Sequence, residues 1–255
     1  MIALVTGASS GIGRDMARYL NKLGYNLIIT ARDYDKLEKL KIELNNKNDK
    51  LVDIIIADLS NKDECINLYN TISQKYNNID LLINNAGFGL CGQFVKTDLD
   101  IELSMIDTNI KAVHILTKLF LKDMVKKNSG RILNVASIAS FMPGPLMLTY
   151  YGTKNYVLRL SQSIKEELNK QKSNVKISVL CPGPVNTNFN NTANVKFALK
   201  GMSSEYVAKY AIDKTLKNKF LIKPGIVVKI VRVLTKISPD NISAKVCYHM
   251  QKRKI

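Results

Sequence analysis

The sequence predicts an α/β protein: one open, doubly wound parallel sheet of about seven strands, with helices on both faces, in a single domain. Composition is the first reason. The 255 residues are 46% hydrophobic and 23% charged, which fills a sizeable core and excludes wholesale disorder. The second is alternation, because short β-branched apolar runs trade places with longer segments of helical period almost from end to end. The third is the character of the runs. They are continuously apolar, as strands buried on both faces of a parallel sheet are.

The elements follow in order. Ile2–Thr6 reads as the first strand and passes into a glycine-rich turn and an amphipathic segment, Arg14–Leu23. Strand Asn26–Thr30 precedes helical Tyr34–Leu44, strand Leu51–Ala57 precedes Lys62–Tyr76, and strand Asp80–Asn84 precedes the long segment Leu99–Lys126. Strand Arg131–Ser137 leads to Tyr150–Lys170, and Val175–Cys181 is the sixth run. Right-handed crossovers join strands arranged in this way. No repeat, linker or low-complexity tract divides residues 1–181. Residues 1–187 are therefore read as a dinucleotide-binding and catalytic core. Residues 188–225 supply substrate loops and a last strand near Phe220–Gly225, and residues 226–255 form a basic helical extension.

The turn after the first strand reads Thr6-Gly7-Ala8-Ser9-Ser10-Gly11-Ile12-Gly13. Glycines there allow a tight turn and let backbone N–H groups approach a pyrophosphate at a helix N-terminus. The spacing is G-x-x-x-G-x-G rather than G-x-G-x-x-G. The second strand should end beside the adenosine ribose, where the chain reads Thr30-Ala31-Arg32-Asp33. Arg32 suits the 2′-phosphate of NADP(H), whereas an acidic residue such as Asp33 would suit the ribose hydroxyl of NAD. NADP(H) is the favoured reading.

Downstream, Asn84-Asn85-Ala86-Gly87 follows the fourth strand, Asn109 lies in a long helix, and Ser137 closes the fifth strand. Tyr150 and Lys154 sit at i and i+4 and so share a helix face. A phenol, with a reference pKa of about 10, is a poor acid–base group near neutrality, and a neighbouring ammonium is expected to bring it down. Tyr151, whose i+4 neighbour is Asn155, lacks that partner.

In this order the motifs resemble the short-chain dehydrogenase/reductases over about residues 1–187. They are closest to the ketoacyl reductase-like branch that continues past the last strand. The resemblance implies a Rossmann-type fold and a carbonyl–alcohol oxidoreductase. Cofactor contacts would come from Gly7, Ser9, Ser10, Gly11, Ile12 and Gly13 in the turn, from Arg32, and from Asp58 with Leu59 at the adenine. Asn85, Ala86 and Gly87 would line the crevice, and Pro182, Gly183, Val185 and Thr187 would meet the nicotinamide end. Asn109, Ser137, Tyr150 and Lys154 match the catalytic tetrad. It implies that Tyr150 donates a proton to the carbonyl oxygen while Ser137 positions that oxygen. Lys154 would hold the nicotinamide ribose and lower the Tyr150 pKa, and Asn109 would anchor a water linking Lys154 to solvent.

Two rival readings stay open. Gly7-Ala8-Ser9-Ser10-Gly11 also satisfies the G-x-S-x-G of a serine hydrolase, which would need one of the only two histidines, His114 and His249. A cofactor-binding regulator without turnover is the other. Substrate walls are expected from loops Phe88–Phe94, Ile138–Thr149 and Pro184–Met202. Phe88, Leu90, Phe94, Phe141, Met142, Leu146, Met147, Phe189 and Phe197 make them apolar, unless some of these are core or subunit contacts. A hydrophobic ketone, aldehyde or 3-oxoacyl-type substrate is expected. Helices Leu99–Lys126 and Tyr150–Lys170 are expected to form a homodimer. The absence of the family's usual Val-Asp-Gly-Gly-like finish puts the common tetramer in question.

The net charge is +17, from 38 basic and 21 acidic residues. Only 7 of the basic residues are Arg, the better tool for reading phosphates and bases, so nucleic acid is not the expected partner. The excess is local: residues 195–255 carry 14 basic and 3 acidic residues, a net +11, against +6 for the rest. Ile226, Ile230, Val233 and Ile237 repeat at helical spacing with Lys229, Arg232 and Lys236 on another face. The helix either packs its apolar face on its own domain, leaving the charges solvated, or lies on an anionic membrane. Cys65, Cys91, Cys181 and Cys247 make no C-x-x-C pair, and no zinc-ligand spacing exists, so no metal is expected. The cysteines read as small hydrophobes in a reduced, cytoplasmic chain without signal peptide or membrane span.

Overall fold

The computed structural model describes residues 1–47, 49–76, 78–189 and 201–252. Strands β1 (Ile2–Thr6), β2 (Asn26–Ala31), β3 (Val52–Ile56), β4 (Leu81–Asn84), β5 (Arg131–Val135) and β6 (Lys176–Leu180) fall within a residue or two of the predicted runs. With β9 (Leu221–Ile222) they form one parallel seven-stranded sheet in the order β3-β2-β1-β4-β5-β6-β9. Two short strands, β7 (Val185–Asn186) and β8 (Met202–Ser203), pair separately.

Neighbouring side chains on each strand enter opposite cores. Ala3 and Val5 join Leu27, Ile29, Leu81 and Ile83 beneath helices α1 (Gly11–Lys22), α2 (Tyr34–Asn45) and α7 (Ser204–Leu216). Leu4, Ile28, Leu82 and Ile132 face α3 (Lys62–Lys75) and α5 (Val113–Lys126). The long helix α6 (Leu148–Lys170) lies on that second side through Val157, Leu158 and Leu168. Burial on both faces is why the inner strands β1, β2, β4, β5 and β6 read as nearly continuous apolar runs.

The segment expected as one helix over Leu99–Lys126 is α4 (Leu99–Ile106), a π-helical turn Asp107–Ala112, and α5. Asn109 sits in that π turn, a local widening that often accompanies functional sites. Side chains cap α2, α3, α4 and α7: Asp33, Asn61, Asp98 and Ser203 each accept a backbone N–H from the first turn. Ser10 at the head of α1 makes no such bond.

Strand order reverses between β1 and β4, whose chains leave in opposite directions to build the two halves of the sheet. The carboxyl ends of these two strands therefore diverge into a crevice, the usual ligand position in an open α/β sheet. Beyond β9 the chain adds α8 (Ile226–Ile237) and α9 (Asp240–Lys252). The packing expectation for Ile226, Ile230, Val233 and Ile237 is corrected here: all four are exposed, and the helix turns Val228, Val231, Arg232 and Thr235 inward instead. No helix among the described residues is long and apolar enough to cross a membrane.

Candidate active site

The crevice is floored by backbone. The Thr6 hydroxyl accepts from the Asn85 and Ala86 amides at 2.9 and 3.0 Å, and the Asn85 amide donates to the carbonyls of Thr6 and Gly7. These bonds tie the turn after β1 to the turn after β4. Gly7 and Gly11 take φ of +63° and +55°, a region glycine enters without steric cost. A Cβ on Gly13 would lie 2.3 Å from the Asn85 amide nitrogen, and one on Gly87 would lie 2.6 Å from Asn109 Oδ1. Thr187 approaches Gly11 from the far side, and Ile138 donates its backbone N–H to the Pro182 carbonyl. The result is a side-chain-free cradle running to the uncapped N-terminus of α1, a shape and polarity that fit a pyrophosphate.

At the end of β2, Arg32 is 72% exposed and lies 3.7 Å from Asp58. The Asp33 carboxylate is occupied: it caps α2 at the Lys36 amide and pairs with the Lys36 ammonium. Partial burial pushes the Asp58 carboxyl up. Hydrogen bonds from the Ser60 amide and hydroxyl, together with the Arg32 charge, outweigh that and hold it below its ordinary value. Leu59 beside it is buried.

The four predicted catalytic residues come together from three elements. Asn109 is fully buried and locked, its amide donating to the Phe88 carbonyl and the Thr153 hydroxyl and its oxygen accepting from the Phe88 amide. Ser137 ends the β5 run and caps the short 3₁₀ turn Ile138–Phe141. The Ser140 hydroxyl donates to the Lys154 carbonyl at 2.7 Å, joining that turn to α6. The Lys154 ammonium donates to the Val135 carbonyl at 3.0 Å and lies 5.9 Å from the centre of the Tyr150 ring.

Here one expectation is corrected. Burial pushes the Tyr150 phenol up to about 12, with the Ser137 hydrogen bond opposing it, so the net shift is upward despite the neighbouring Lys154. Burial also lowers the Lys154 pKa to about 8, and its ammonium donates to the Val135 carbonyl rather than to the phenol. Tyr151 stands T-shaped against Tyr150, and its hydroxyl accepts from the Gln251 amide of α9. The Tyr151–Gln251 tie was not foreseen, and nothing local in the sequence signals a pairing across 100 residues.

Around Tyr150 the walls are apolar. The Phe189 ring lies 5.3 Å from it, and Met147, Cys91 and Tyr151 complete the cluster. Gly92 donates to the Leu146 carbonyl at 2.8 Å, joining two predicted substrate loops. Leu146 holds a φ of +68°, a strained setting for an aliphatic residue. Glu102, also unforeseen, is buried between these loops and accepts from Thr97 and Thr149. Phe197 lies outside the described residues. His114 hydrogen-bonds Tyr156 and His249 stacks edge-on to Tyr248, so neither is engaged with Ser9 as a hydrolase would require.

The family described as short chain dehydrogenase matches residues 1–198. An uncharacterized oxidoreductase of Staphylococcus saprophyticus is 32% identical over 238 residues, covering 88% of this chain and 96% of that protein. Among solved structures, a short-chain dehydrogenase from Sphingobium yanoikuyae in complex with NADPH superposes with a TM-score of 0.82 at 25% identity, covering 93% of this chain and 96% of that one. The bulky-bulky ketone specific alcohol dehydrogenase from Comamonas testosteroni gives 0.81 at 27% identity, with 92% and 90% covered.

Proposed function

The chain belongs to the short-chain dehydrogenase/reductase family of oxidoreductases, and from that premise we propose that it is an NADP(H)-dependent reductase of apolar carbonyls, with Tyr150 as the acid. One observation carries the reading: Tyr150, Ser137 and Lys154 converge beneath an apolar wall at the mouth of the glycine cradle. When bound, the cofactor supplies the hydride that adds to the carbonyl carbon. Everything else falls to the chain.

A phenol pushed up to about 12 keeps its proton through the neutral range, which suits a group that must donate to a carbonyl oxygen. Ser137 offers a hydroxyl to the same oxygen and stabilises the charge that develops there. Lys154, with a pKa near 8, is mostly protonated at neutrality and places a positive charge beside the ring. Asn109 holds the π turn against Phe88 and Thr153 and would anchor the water through which Lys154 exchanges protons with solvent. Tyr150 thus gives up its O–H proton as the alcohol forms and regains one along that route.

NADP(H) is favoured over NAD because Arg32, exposed and 3.7 Å from Asp58, can turn to a 2′-phosphate, while the Asp33 carboxylate is committed to capping α2. Phe189, Met147 and the uncharged Ile138–Thr149 loop favour a bulky, apolar ketone, aldehyde or 3-oxoacyl-type compound. Exposed Leu99, Ile101 and Leu103 on α4 and Tyr156 on α6 support a homodimer through those helices. The test of function is NADPH oxidation across a panel of apolar and polyol-like carbonyls, repeated with NADH. Turnover of the apolar members with NADPH is expected, and turnover of polar members alone would contradict the reading.

A further inference from the structure

We propose that α8 and α9 together dock the protein on an anionic lipid surface. The outward side of α8 carries Ile226, Val227, Ile230, Val233, Leu234 and Ile237, each between 49% and 75% exposed. At roughly 100° per residue these six fall within one stripe about 120° wide. On α9, Ile242, Val246 and Met250 recur every four residues and are likewise more than half exposed.

The orientation is built into the packing. Val228 is buried, the Arg232 guanidinium lies 4.8 Å over the Phe141 ring, and a Cβ on Gly183 would meet the Val228 side chain at 3.2 Å. On α9, Ser243, Cys247 and Gln251 face inward, and Gln251 is bonded to Tyr151. Both inner faces are therefore committed to the body of the protein. The apolar stripes cannot turn inward without breaking those contacts.

Charge selects the occupant. Lys229 and Lys236 flank the α8 stripe and Lys245 and Lys252 lie along α9, all of them exposed, while α8 contains no acidic residue. A second copy of this chain, itself at +17, would bring two strongly basic faces together. An anionic headgroup layer complements the rims and takes the aliphatic side chains between its acyl chains. At 12 residues α8 is shorter than the roughly 20 needed to span a bilayer, so it would lie in the plane of the interface.

Flotation of the full-length protein with vesicles tests this. One set is phosphatidylcholine alone and the other contains about one-third phosphatidylglycerol. Binding is expected to the anionic vesicles and to weaken at about 0.5 M salt. The double variants I230E/V233E and K229E/K236E should each reduce the bound fraction at least about tenfold. Because these side chains face solvent, both variants should melt within about 2 °C of the parent, which separates loss of docking from loss of fold. Three results would overturn the proposal: no binding by the parent chain, unchanged binding by I230E/V233E, or a parent oligomer that this variant dissociates without vesicles being involved.

Discussion

Lys154 shows what the site demands of single residues. Its ammonium is buried and its pKa falls from 10.5 to about 8, so between those values the unfolded chain holds a proton that the folded chain has released. Stability attributable to this residue therefore rises with pH across that window, and below pH 8 the full penalty applies, on the order of 3 kcal/mol. Lys154→Met should cut turnover by at least about a hundredfold yet raise Tm at pH 7 by a few degrees. That gain should vanish by about pH 10.5, as melts at several pH values will show. The sequence revealed the Tyr150–Lys154 pairing through its i, i+4 spacing but not its electrostatic balance, since desolvation depends on neighbours such as Val135 and Cys181 that spacing does not report. The Asp33 cap has a local signal in the sequence, because an acidic residue just before a helical run favours the N-cap. With that carboxylate committed, Arg32→Ala should lower kcat/KM for NADPH about tenfold or more while changing that for NADH little, as initial rates with each cofactor will tell.

Elements repeat the lesson with glycine as the probe. Gly13 sits where a Cβ would strike the Gly7 carbonyl at 2.4 Å as well as Asn85, whereas Gly152 on α6 has nothing within 4 Å. Gly13→Ala should destabilise by about 1–3 kcal/mol and weaken NADPH binding. Gly152→Ala should stabilise by about 0.5–1 kcal/mol, and paired thermal melts will separate the two. The inner strands were legible because burial on both faces leaves a nearly continuous apolar run in them, down to the agreement at Ile2–Thr6. The π turn at Asp107–Ala112 was not, since one widened turn within a long amphipathic segment hardly disturbs its apolar period. For α8 the amphipathic pattern identified the apolar side correctly but gave no direction. Which side met the protein was decided by Val228 against Gly183 and Arg232 over Phe141, contacts made between distant parts of the chain.

For the whole molecule, charge and architecture divide the work. The switch between β1 and β4 opens a crevice in the part of the chain with a net charge of +6, a sign that suits a polyanionic cofactor. The larger excess lies toward the C-terminus, with the outward apolar stripes. Topology, cradle and tetrad all follow from motifs in ordered succession. The closure of α9 over Tyr151 depends on a contact that only the folded chain makes. The central claim is that Tyr150, rather than its equally aromatic neighbour, delivers the proton. Its most direct measurement is NADPH-dependent reduction of a bulky apolar ketone by Tyr150→Phe and Tyr151→Phe, with NADPH affinity determined alongside. Tyr150→Phe should lose kcat about a hundredfold to ten-thousandfold at near-parental NADPH affinity, and Tyr151→Phe less than about tenfold. Parental turnover in Tyr150→Phe would contradict a proton delivered by Tyr150.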